Sequence, residues 1–164
     1  MKKIGFGILL AAFVFGFLFA SCDNSTSGGS SGFDGVIKII SVNAYYYGPY
    51  DDDPREHGII ILDTNFPWKD YDSHEEPYDL ENDFVLKINE ANIPLTYGDV
   101  SWYGDEIRFS WLNKDLFTIG NQYKIQVIYT ENPDRKCKVW SKNGNEYILN
   151  SFDIGEKTVT VKKW

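Results

Sequence analysis

The stretch from Ile107 to Tyr129 constrains the fold more than any other part of the chain. Ile107, Phe109 and Trp111 alternate with Arg108 and Ser110, and Tyr123, Ile125, Val127 and Tyr129 alternate with Lys124 and Gln126. Such period-2 alternation is the mark of strands buried on one face. Between the two runs, Leu112 to Gln122 is too short for a full helix. One helical turn closing at Gly120 fits, because glycine adopts the left-handed conformation that ends such a turn without a steric penalty. The stretch therefore reads as strand, corner, strand.

Other segments follow the same rule. Val36 to Tyr46 is rich in β-formers, and Gly58-Ile59-Ile60-Ile61-Leu62-Asp63 is a short continuous apolar run of the kind a buried strand needs. Phe84, Leu86 and Ile88 alternate with Val85 and Lys87, and Asn89 to Asn92 turns the chain toward Ile93-Pro94-Leu95. Val100 and Trp102 precede a turn at Gly104-Asp105. After Tyr129 the turn signals Asn132-Pro133-Asp134, Asn143-Gly144 and Gly155-Glu156 separate strands expected at Lys136 to Ser141, Glu146 to Phe152 and Thr158 to Val161. Eight or nine strands, with no helix of useful length, predict an all-β antiparallel sandwich over residues 34–164, the size of one domain. Cys137 alternates with Val139 and reads as core. Trp102, Trp111 and Trp140 fall in strand patterns and read as core or sheet-face packing, with Trp102 and Tyr103 as the alternative sugar-stacking platform.

Two resemblances give the sandwich a family. Tyr123, three residues after Gly120 at the head of a strand, resembles the tyrosine corner of immunoglobulin-like domains, whose phenol bonds to backbone upstream. Ile40-Ser41-Val42, then Gly58 to Phe66 ending in Asp63-Thr64-Asn65-Phe66, then Val85 to Asn89 with Ile93-Pro94-Leu95, resembles the opening half of an IPT/TIG immunoglobulin-like domain. Asp63 stands where that family carries glycine. Gly120 to Val127 and the strand near Phe152 resemble the closing half, with a long loop at Pro67 to Asp83 between them. The resemblance implies an interaction or spacer module and supplies no catalytic residues.

Ahead of the domain, Met1-Lys2-Lys3 leads into the uncharged apolar run Ile4 to Ala20, the layout of a signal peptide over residues 1–21. The ending Phe19-Ala20-Ser21-Cys22 resembles the lipobox of bacterial lipoproteins, with Phe19 where leucine is commonest. That resemblance implies cleavage before Cys22 and its acylation, palmitate included. Two or three acyl chains make a stable anchor, at ~0.8 kcal/mol per buried methylene. Residues 22–33 are rich in glycine and serine and read as a flexible tether. The expected address is the bacterial envelope, at the outer membrane or cell surface in preference to the inner membrane. The chain carries 16 basic and 24 acidic residues, a net charge of −8, which loss of Lys2 and Lys3 would take to about −10. Such a surface argues against nucleic acid as a partner.

Two segments rich in both rings and carboxylates stand out as candidate recognition loops. One runs from Tyr45 through Tyr46, Tyr47, Tyr50 and Asp51-Asp52-Asp53 to His57, and the other from Trp68 through Tyr71 and Tyr78 to Asp83. Loops on a rigid scaffold commonly carry binding surfaces, and Tyr and Trp give large contact area at small entropic cost. The candidate binding residues are Tyr46, Tyr47, Tyr50, Asp52, Trp68, Tyr71 and Tyr78. Neither acidic run has the EF-hand order of ligands, and His57 and His74 lack a third zinc ligand at telling spacing. No cofactor or metal is expected, and no nucleophile or phosphate motif points to an enzyme. The sequence thus favours a non-enzymatic module that binds a protein or glycan through the two loops. The alternatives are a periplasmic structural or accessory subunit that binds an envelope protein by a strand edge, and a carbohydrate-active enzyme or its accessory domain.

Overall fold

The computed structural model describes residues 33–49, 55–75 and 79–164. Twelve strands are found among them: β1 (Ile39–Tyr47), β2 (His57–Thr64), β3 (Tyr71–Glu75), β4 (Phe84–Ile88), β5 (Ala91–Ile93), β6 (Val100–Tyr103), β7 (Glu106–Leu112), β8 (Gln122–Tyr129), β9 (Lys138–Ser141), β10 (Glu146–Ile148), β11 (Phe152–Asp153) and β12 (Lys157–Lys163). Short 3-10 turns at Trp68–Asp70, Leu80–Asp83 and Lys114–Leu116 are the helical segments. Among the described residues no helix is long and apolar enough to cross a membrane.

Nine strands form one hydrogen-bonded path in the order β5-β4-β8-β12-β1-β2-β7-β6, with β11 attached to β8, and β10-β9-β3 form a small second sheet. β12 hands the path from one half to the other. Its first residues, Lys157 to Thr160, pair antiparallel with β8. Its last, Val161 to Lys163, pair in parallel with Ala44 to Tyr46 of β1.

Both halves of the path contribute to one buried core. Ile60 and Leu62 of β2, Ile107 and Phe109 of β7, Phe84 and Leu86 of β4, and Ile125 and Val127 of β8 are all buried in one cluster. Each fully buried aliphatic or Phe side chain contributes ~1.5–3 kcal/mol. Phe84 meets Phe109 edge-on at 5.3 Å and lies 4.8 Å from Tyr129, ring centroid to centroid. Around this core the chain is pinned by specific polar groups. Asn65, in the Asp63-Thr64-Asn65-Phe66 run, accepts from the Lys38 N–H at 2.8 Å and donates to the Val36 carbonyl at 3.0 Å, tying the segment before β1 to the end of β2. The Tyr123 phenol oxygen accepts from the Thr118 N–H at 2.9 Å, so this tyrosine does bond to backbone upstream. Gly58 is required for close packing, since a Cβ there would lie 2.2 Å from the Phe117 ring.

Several expectations need correction. The stretch Trp68 to Asp83, expected as a loop, contains β3, which pairs with β9. Its sequence, Tyr-Asp-Ser-His-Glu, is exposed almost throughout and so carries no apolar alternation. The helical turn before Gly120 ends earlier, at Leu116: Asn113 caps it by accepting from the Asp115 N–H, and Phe117 then drops into the core. Gly120, at φ 86°, belongs to a separate turn closed by Asn121 N–H to the Thr118 carbonyl. The strand expected from Glu146 to Phe152 is split: Leu149 still bonds to the Cys137 carbonyl beside β9, and from Phe152 the chain pairs with β8 instead, as β11. Cys137 itself is fully buried.

Trp111 departs from the predicted alternation most informatively. Gly58 pairs with Leu112 but Ile60 pairs with Phe109, so β7 holds one extra residue at this point. Such a bulge reverses which side chains face the core. Leu112 is buried in place of Trp111, which takes φ 61° and stays about half exposed.

Candidate functional site

β2 explains where to look. Its inward residues Ile60 and Leu62 are fully buried, as an inner face requires, but its outward residues Ile59 and Ile61 are buried as well. A strand buried on both sides needs a second layer over its outer face. In register, Tyr45 lies beside Ile59 and Arg108 beside Ile61. These two begin a layer of rings and guanidinium groups across the outside of β1, β2, β7 and β6.

The layer can be followed ring by ring. Tyr45 meets Trp164 edge-on at 5.0 Å. The Arg108 guanidinium lies 5.9 Å from the Trp164 ring and 4.8 Å from the Tyr103 ring, close enough for cation–π attraction. Tyr103 lies 5.7 Å from Trp68, which stacks at 5.6 Å and 8° on Tyr71. Along the same sheet toward the bulge, Tyr47 stacks on His57 at 4.7 Å, His57 on Trp111 at 4.3 Å, and Arg55 lies 4.4 Å over the Trp111 ring. Trp68, Tyr103, Trp111 and Trp164 remain 51%, 55%, 47% and 45% exposed. Tyr103, Trp111 and Trp164, with Trp68 beside Tyr103 at the β6–β7 turn, are large rings about half open to solvent that together form an apolar surface a solitary exposed ring would not.

Local chemistry holds the rings in place. Trp68 lies directly on the backbone of the β6–β7 turn: Gly104 has φ 64°, and a Cβ on it would fall 1.7 Å from the indole. The turn is fixed by Trp102, buried in the core, which donates its indole N–H to the Gly104 carbonyl at 2.7 Å. The bulge sets Trp111, since a large side chain adopts positive φ only where its surroundings dictate it. Arg108 is oriented by Glu106, which accepts from its Nε and Nη2 at 2.7 Å each.

Carboxylates accompany the rings. Asp63 accepts from Asn43 at 2.8 Å and from the Ser41 hydroxyl. Burial, reinforced by Asp63, pushes the Asp105 carboxyl above the usual carboxylate range, while a backbone hydrogen bond and Arg108 pull the other way. Tyr45 is likewise raised by burial and then by the charges of Asp63 and Glu106. At the end of β1, Glu56 is held below its ordinary value by hydrogen bonds from Lys114 first and then Tyr46. Among the described residues no three His, Cys, Asp or Glu side chains group so as to hold a metal ion.

The structure divides the predicted binding residues. Tyr47 and Trp68 lie in the aromatic layer. Tyr71 joins it through Trp68 but also packs toward the core, 6.4 Å from Phe66. Tyr46 alternates to the other side of β1, packs against the core and hydrogen-bonds Glu56. Tyr50, Asp52 and Tyr78 lie outside the described residues, as do Asp51, Asp53, Cys22, the apolar run before it and all of the tether but Phe33. Sequence reasoning placed Tyr45 and Arg55 in a candidate loop without naming them as binding residues, missed Arg108 and Trp164, and treated Tyr103 only as an alternative platform with Trp102. The available signal was Gly-Ile-Ile-Ile-Leu, a run with no polar alternation inside an antiparallel sheet.

No known protein family, characterised protein or solved structure matches the chain in comparisons of sequence and fold.

Proposed function

We propose that the chain is a lipid-anchored envelope protein whose immunoglobulin-like β-sandwich is a non-enzymatic binding module, taking a glycan on the aromatic outer face of β1, β2, β7 and β6. The observation that carries this reading is the set of half-exposed rings Tyr103, Trp111 and Trp164, with Trp68 beside Tyr103 at the β6–β7 turn. A sugar ring has an apolar face of C–H groups and a rim of hydroxyls. Indole and phenol faces suit the first, and Arg108, Glu106, Arg55 and Asp63 suit the second. Protein-binding surfaces also favour Trp, Tyr and Arg, but they are depleted in Asp and Glu at their centres, so the carboxylates among these rings favour the saccharide.

Support for the sandwich comes from the strand order, in which β1-β2-β7-β6 and β5-β4-β8-β12 form two sets that contribute to one buried core. Support for the anchor is the run Met1 to Cys22. Cys22→Ser is expected to release the chain from membranes in a fractionation assay, and retention of the variant would remove the lipid from this reading. The ligand is tested by affinity electrophoresis of the full chain through gels containing individual polysaccharides. Retardation by at least one glycan, lost in Tyr103→Ala/Trp111→Ala at unchanged melting temperature, is the expected result. Free migration in every gel, or retardation that survives the double substitution, would overturn the glycan reading.

A further inference from the structure

We propose that the groove between β1 and β12 accepts an extended segment of a partner protein, apolar at alternate positions and with an acidic residue where it meets Lys157. β1 and β12 pair only over Ala44 to Tyr46 and Val161 to Lys163. Upstream they part, and a groove of about 590 Å³ lies between them, lined by Val42, Phe152, Ile154 and Val159 as well as the two lysines. That volume lies within the ~300–1,000 Å³ of ordinary ligand sites.

Both walls are strand edges. β1 gives one edge to β2 along its length, and among the described residues no strand pairs with Ile39 to Asn43 on the other. β12 gives one edge to β8 over Lys157 to Thr160, and its opposite edge there is likewise unpaired among the described residues. Proteins normally blunt such edges with charge, proline or a bulge. Here a bulge interrupts the β1–β2 register between Ile39 and Ser41, but it leaves Ile40 65% exposed, an apolar side chain rather than a charge. Two edges with backbone groups to pair and apolar side chains between them match the recognition of an added strand: the main chain supplies affinity and alternate side chains supply specificity.

Charge selects the occupant. On a chain with net charge −8, this groove carries Lys38 and Lys157, of which Lys38 is already paired with Asp34, so Lys157 is the cation left to meet an acid. Its one carboxylate, Asp153, already accepts from Gln126 at 3.0 Å and from the Gly155 N–H at 2.8 Å. Lys157 makes no ion pair among the described residues. The chain's own preceding segment, Asp23 to Gly32, holds no apolar residue to fill the alternate positions.

The proposal does not depend on the aromatic face, since the groove lining includes none of its rings. The full chain, in detergent micelles, is panned against a displayed library of randomised peptides of about ten residues. Enrichment of sequences with alternating apolar residues and an acid is expected. The synthetic form of an enriched peptide should shift amide signals of residues 36–42 and 157–160 and lose binding when its alternate amides are N-methylated. Lys157→Glu should weaken it about fivefold and select basic residues in place of the acid. Trp111→Ala should leave it unchanged. Absence of enrichment, indifference to N-methylation, or loss of binding in Trp111→Ala would overturn the proposal. So would concentration-dependent self-association abolished by Ile40→Lys, which would make the edge an interface between copies.

Discussion

The outer faces of the two strand sets are unlike. On β4 and β8 the outward positions are Val85, Lys87, Lys124, Gln126 and Ile128, exposed or half-buried, with Val85 43% open to solvent. On β2 the corresponding outward positions, Ile59 and Ile61, are buried, with Tyr45 and Arg108 beside them in register. The first face behaves as an antiparallel sheet in water is expected to, apolar inside and polar outside. The second sacrifices that alternation to carry a layer of Trp, Tyr and Arg, none of which the inner core needs. The difference separates a face that only has to be soluble from one arranged to hold rings in place.

The largest test of this contrast compares outward positions directly. Ile61→Ala removes a side chain buried on the supposed outside and is expected to cost about 2–5 kcal/mol, as core truncations do, whereas Val85→Ala should stay within about 0.5 kcal/mol. Denaturant unfolding of both variants decides it, and equal small losses would mean that the aromatic layer covers nothing. Next in size is Gly104→Ala. It forces a side chain into the left-handed region, at about 1–2 kcal/mol, and displaces Trp68 from the β6–β7 turn. A red-shifted tryptophan emission should accompany the loss of stability, and an unchanged spectrum would show that Trp68 does not rest there.

A third comparison probes the bulge. If Trp111 is held at φ 61° by the ladder and not by its own preference, then Trp111→Gly should be more stable than Trp111→Ala by about 1 kcal/mol, the reverse of the usual order in a strand. Thermal unfolding of the pair measures the difference. Alanine being the better residue would place Trp111 in ordinary extended backbone and return it to the predicted alternation.

These positions also mark how far the sequence could be read. Period-2 runs gave β4, β7 and β8, and a continuous apolar run gave β2, to within about a residue, while glycine and asparagine gave the turns at Gly104 and Gly144, because all these signals are local. Tyr123 was recognisable because its bond to Thr118 spans only five residues. The bulge at Trp111 was not legible, since the extra residue is defined by the partner strand and not by the order of side chains in β7. β3 was missed because a polar edge strand has no apolar face to announce it. The candidate site suffered most. Tyr47, Trp68 and Tyr71 were found as exposed rings in loops, but their companions Tyr103, Arg108 and Trp164 come from distant segments, and only the pairing of β1, β2, β7 and β6 sets them side by side.

The smallest expected effect tests whether the aromatic layer excludes water at its edge. Asp105 sits in the turn beneath Trp68, and burial raises its carboxyl above the ordinary range. A carboxyl raised in the folded state favours the neutral acid. Its contribution to stability is therefore complete below the unfolded value of about 3.9 and lost as pH rises through the folded one. At pH 7 the ionised group opposes folding, and Asp105→Asn, which keeps the shape without the charge, should raise stability by no more than about 0.5 kcal/mol at this partly exposed site. At pH 3 the gain should vanish, because the parent is then neutral in both states. Melting curves of the two proteins at pH 3, 5 and 7 give the sign. A gain that persists at pH 3 would assign the effect to hydrogen bonding in the turn, and no gain at pH 7 would mean that water reaches Asp105 freely. In that second case the Trp68–Tyr103 end of the face is wetter than the Ile59–Ile61 centre, and any bound glycan would be gripped toward Trp164 and Trp111 instead.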